Sequence, residues 1–140
     1  MIRILLHTTL LFILIALFSC KKDLERTDHA IVGEWNWSIQ YTGNPAYSQT
    51  PQNTGIQEKL IFNNTQTWSL IRNGTLTASG TYQSDFATNS NGQQINRLHF
   101  YTGPGTDSVC YYRIQDNANT LMFSPDLMGT IGGGSRIYIK

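Results

Sequence analysis

The chain has 140 residues, and its 10 Lys and Arg nearly match its 9 Asp and Glu, for a formal net charge of +1. Arg3 is the only one of these charges ahead of Cys20, so the rest is neutral and carries no electrostatic footprint for nucleic acid. The length suits one domain, and 14% charged beside 11% aromatic residues argues against a disordered chain.

Met1–Ser19 has a charged start at Arg3 and an unbroken apolar block from Leu10 to Phe18. Crossing a bilayer takes about 20 apolar residues, more than that block supplies. A charged start, a short apolar middle and a small residue at the end make a secretory signal peptide. Leu17-Phe18-Ser19-Cys20 resembles the lipobox of bacterial lipoproteins, although Phe18 is bulkier than the residue many of them carry there. That resemblance implies removal of residues 1–19 and lipidation of Cys20, with stable attachment through more than one acyl chain. Residues 20–30 then form the lipidated cysteine and a charged tether, similar to those of Bacteroidetes lipoproteins.

From Gly33 the hydrophobic period is two. In GEWNWSIQY, Trp35, Trp37, Ile39 and Tyr41 alternate with polar residues, which predicts a strand with one apolar face. NPAYSQTPQNTG is rich in turn formers and reads as a loop. IQEKLIFNN carries Leu60 and Phe62 on one face. Trp68 and Leu70 lead into Asn73-Gly74, and Leu76, Ala78 and Tyr82 lead out, the pattern of a tight hairpin. Gly80 in the outgoing strand suggests a bend or bulge.

FATNSNGQQ reads as a polar loop. INRLHFYT places Leu98 and Phe100 together, and SVCYYRIQ separates Val109, Tyr111 and Arg113 from Cys110, Tyr112 and Ile114. TLMFS pairs Leu121 with Phe123, PDLMGTIGGG is a loop, and SRIYIK is a final strand. No segment after Cys20 has a helical stripe over three turns. About eight strands joined by short turns predict an all-β fold, a single antiparallel up-and-down barrel. Closure needs Arg136–Lys140 to pair with Gly33–Tyr41 and removes exposed edges.

VGEWNW resembles the Gly-x-Trp opening of lipocalins. LIFNNTQTWSLIRNGTLTASGTY and RIQDNANTLMFS are similar to lipocalin-like domains of secreted bacterial lipoproteins. The likeness covers residues 31–140 and marks an architecture, not an activity. It implies an arginine packed across the first tryptophan, for which Arg136 is the candidate. It also implies a location in the cell envelope, on the outer membrane, attached through the lipid on Cys20.

Chemistry for catalysis is missing from the pattern. His29 falls in the tether and His99 stands alone in a strand, without metal-ligand spacing. No Ser-His-Asp order or paired-carboxylate signature stands out, so neither an enzyme, a cofactor nor a metal site is expected. With Cys20 lipidated, Cys110 is a half-buried free thiol without a disulfide partner. Two functions remain. A monomeric binding module would hold a small apolar ligand against Trp35, Trp37, Trp68 and Phe100, since ligand sites are concave and mostly apolar. A barrel filled by those aromatics would instead act on a protein partner through its loops. A cavity walled by Trp35, Trp68 and Phe100 distinguishes the first from the second.

Overall fold

The computed structural model describes residues 30–42, 47–124 and 134–140. The expected signal peptide and Cys20 lie outside the described residues. The strands are β1 (Gly33–Gln40), β2 (Glu58–Phe62), β3 (Thr67–Arg72), β4 (Thr75–Thr88), β5 (Gln94–Gly103), β6 (Thr106–Gln115), β7 (Thr120–Phe123) and β8 (Arg136–Ile139). Each pairs antiparallel with the next, and β8 returns to β1, closing an eight-stranded barrel. The all-β, up-and-down barrel read from the sequence is therefore the observed fold.

Alternation does most of the work. Trp35 and Trp37, Leu60 and Phe62, Trp68, Tyr82, Leu98, Tyr112, Leu121 and Tyr138 are all buried and form one apolar core. Each fully buried large apolar side chain contributes about 1.5–3 kcal/mol. The rings interlock edge to face, with Phe62–Tyr82 centroids 5.0 Å apart and Trp68–Phe100 centroids 4.9 Å apart, which adds about 0.5–1.5 kcal/mol per pair.

The β3–β4 turn is the expected hairpin tip. Asn73 and Gly74 take φ of 50° and 79°, the positive pair that a two-residue turn of this hand requires. The Asn73 side chain also accepts a hydrogen bond from the Gln57 N–H at 2.7 Å, tying the tip to the approach of β2.

Three details differ from the pattern. Leu76 is exposed, because Thr77 is a bulge: Leu70 pairs with Ala78 but Ile71 pairs with Leu76. The extra residue turns Leu76 to the outer face. The long polar loop at residues 86–94 shrinks to a turn, since Phe86, Ala87 and Thr88 pair with Asn96, Ile95 and Gln94. Asn89 holds that turn, its Oδ1 accepting from the N–H groups of Asn91 and Gln93. Within the loop before β2, one helical turn, α1 (Pro51–Thr54), is closed by a capping box between Thr50 and Asn53.

Candidate functional site: a barrel filled at one end

The interior has two unlike halves. At the end where β1 begins, packing is complete. Ile31 and Trp35 are fully buried, and the Trp35 indole N–H donates to the Ile31 carbonyl at 2.7 Å. Lys140 Nζ lies 4.5 Å from the centre of the Trp35 ring, a cation–π contact. The cation across the first tryptophan is thus Lys140 and not Arg136. The β8 register explains it: Arg136 opposes Gln40 at the far end of β1, while Ile139 opposes Asn36 beside Trp35.

Toward the other end the side chains leave a cavity of about 320 Å³. Its apolar walls are Leu60, Trp68, Leu70, Phe100 and Phe123. Thr102 and Ser108, near the β5–β6 turn, join Cys110, Arg136 and Tyr138 to complete it. The inward-facing positions of five strands, β2, β3, β5, β6 and β8, together with the last residue of β7, converge here. The volume sits at the lower end of the range for small-molecule sites, roughly 300–1,000 Å³.

Of the candidate ligand-binding residues, Trp68 and Phe100 line the cavity. Trp35 belongs to the packed end. Trp37 is buried under the Arg136 guanidinium, whose carbon is 5.1 Å from the ring centre, and is not part of the cavity wall. Cys110 is a half-buried free thiol, as expected, and burial pushes its pKa up, so it stays protonated at neutral pH.

A buried acid next to the cavity escaped the sequence reading. The Glu58 carboxylate has no solvent exposure. A carboxylate in that position needs charged partners and hydrogen bonds. Arg72 supplies two, from Nε at 3.2 Å and Nη2 at 2.7 Å, both to Oε2. The Tyr138 hydroxyl donates to Oε1 at 2.6 Å, and Arg136 Nη2 lies 3.1 Å from the same oxygen. Burial, reinforced by the bond to Glu58, pushes the Tyr138 pKa far above that of a free phenol, which keeps the hydroxyl a donor. The signal was present in the sequence: Glu58 shares the period-two face of Leu60 and Phe62, and Arg72 that of Trp68 and Leu70.

The remaining ionisable cluster is on the outer wall. His99 Nδ1 is 3.1 Å from Asp107, and its Nε2 is 3.6 Å from Asp85. Arg97 donates to Asp85 at 2.7 Å and holds that carboxyl below its ordinary pKa. These groups face away from the cavity, consistent with a hydrogen-bonded surface histidine.

Compared with protein-family models, curated proteins and solved structures, the chain gives no significant match.

Proposed function

We propose that this chain is a lipid-anchored protein of the cell envelope whose barrel holds a small apolar ligand without catalysing a reaction. The observation that carries the reading is the cavity itself. A barrel serving only as a scaffold gains by filling its interior, because packing at crystal-like density is the stable state of a core. Here one end is packed in that way and the other leaves Trp68 and Phe100 as walls of an apolar cup. That asymmetry supports the binding module over a filled barrel acting through its loops.

Cys110 offers a direct test, because it is a wall residue and the only cysteine besides Cys20. In the chain from residue 20 onward carrying Cys20→Ser, saturating octanol should slow alkylation of Cys110 by N-ethylmaleimide. Trp68→Ala should weaken octanol binding about ten-fold, the equivalent of ~1.4 kcal/mol. Alkylation at an unchanged rate, with no octanol binding by calorimetry, would sink the proposal.

The anchor is tested separately. In an outer-membrane-bearing host, the full-length protein should incorporate labelled palmitate and sediment with membranes, and Cys20→Ala should abolish both. Membrane retention by the variant, with no label on the wild type, would overturn lipid anchoring while leaving the cavity reading intact.

A further inference from the structure

We infer that the ligand is an amphipathic monoanion whose acidic head, a carboxylate in the simplest case, is met by Arg136. This rests on the cavity reading above and adds the chemical class of the ligand.

The argument is a charge count within one cluster. Glu58 is in contact with both Arg72 and Arg136, and together the three carry one negative and two positive charges. Arg72 uses Nε and Nη2 on Oε2 of the carboxylate, so those two groups satisfy each other. Tyr138 takes the best-placed bond to the other oxygen. Arg136 is left over. Its side-chain contacts among the described residues are the 3.1 Å approach to Glu58 and its positions over the Trp37 and Tyr138 rings. Its Nε is buried and has no hydrogen-bond partner among the described residues.

A guanidinium has five N–H donors and no acceptor. Placed in the wall of a largely apolar cavity, with its ionic partner already shared, it provides a positive potential without a full set of acceptors. The complement is a ligand that brings one anionic group to Arg136 and lays an apolar body along Leu60, Trp68 and Phe100. Thr102 and Ser108 add polar groups to the wall of the same cavity. A neutral ligand would leave that charge unanswered, and a cationic one would be repelled by it.

A matched series of octanoate, octanol and octylammonium tests this at neutral pH and low salt, by calorimetry on the chain from residue 20 with Cys20→Ser. Octanoate should bind at least about ten-fold tighter than octanol, as expected for one charge-assisted contact, with octylammonium weakest. Arg136→Gln should erase the preference for octanoate over octanol, whereas Arg136→Lys should retain part of it. The order within the wild type decides the question even if Arg136→Gln fails to fold. Equal binding of octanoate and octanol would overturn the charge inference and leave the apolar-ligand reading standing. Binding of none of the three overturns both.

Discussion

Trp35→Ala lowers the unfolding free energy by about 3–5 kcal/mol, the cost of emptying a large aromatic from a closed core. Trp35 is fully buried at the packed end, so no solvent can enter cheaply to fill the space. The substitution also strips the Ile31 carbonyl of its indole donor and Lys140 of its ring. Urea denaturation measures the loss. Octanol affinity should change less than it does in Trp68→Ala, because Trp35 is not in the cavity wall. A stability loss under about 1 kcal/mol, together with a selective loss of affinity, would instead put Trp35 beside the ligand.

Gly80→Ala should be nearly as damaging, although it adds a single methyl group. A Cβ at this position would collide with the Tyr101 carbonyl oxygen, a backbone atom that cannot swing aside. Gly80 opposes Trp68 on one side, and the next residue, Thr81, opens the ladder to Tyr101 on the other. The methyl therefore wedges β4 and β5 apart where β4 begins to pair with both neighbours. Overpacking typically costs 1–3 kcal/mol, and a clash with backbone belongs at about 3 kcal/mol or above. Amide exchange should accelerate first along Thr81–Gln83 and His99–Tyr101. Wild-type exchange there, with stability unchanged, would mean that β5 can yield.

Much of this architecture could be read from period-two alternation and one turn dipeptide. Trp35 and Trp37, Trp68 with Leu70, and Asn73-Gly74 each state a local choice that the barrel keeps. What alternation cannot give is depth along the barrel axis. Trp35 and Trp68 share the inner face, yet one is in the plug and the other on the cavity wall, because height depends on the stagger between strands. The cavity was illegible for a related reason: empty space is a difference between facing side chains, not a property of any one strand. Leu76 shows how one unpaired residue, Thr77, reverses a face. Glu58 stands out by no motif; only the period it shares with Leu60 and Phe62 marks it as inward-facing.

Closing the ring with β8 on β1 also sets when the protein can fold. The residues that meet across that seam, such as Trp37 and Tyr138, are nearly a whole domain apart in sequence. Glu58 likewise waits for Tyr138, 80 residues downstream. Such distant pairings fold slowly, since the entropy of closing the long loop is spent before any contact repays it. A chain emerging N-terminus first cannot seal its barrel until residues 136–139 have been delivered. Until then β1 has an open edge, and the buried acid lacks its tyrosine donor and one of its two guanidinium neighbours. The order of synthesis thus leaves the barrel unsealed until β8 arrives, and that strand acts as the latch.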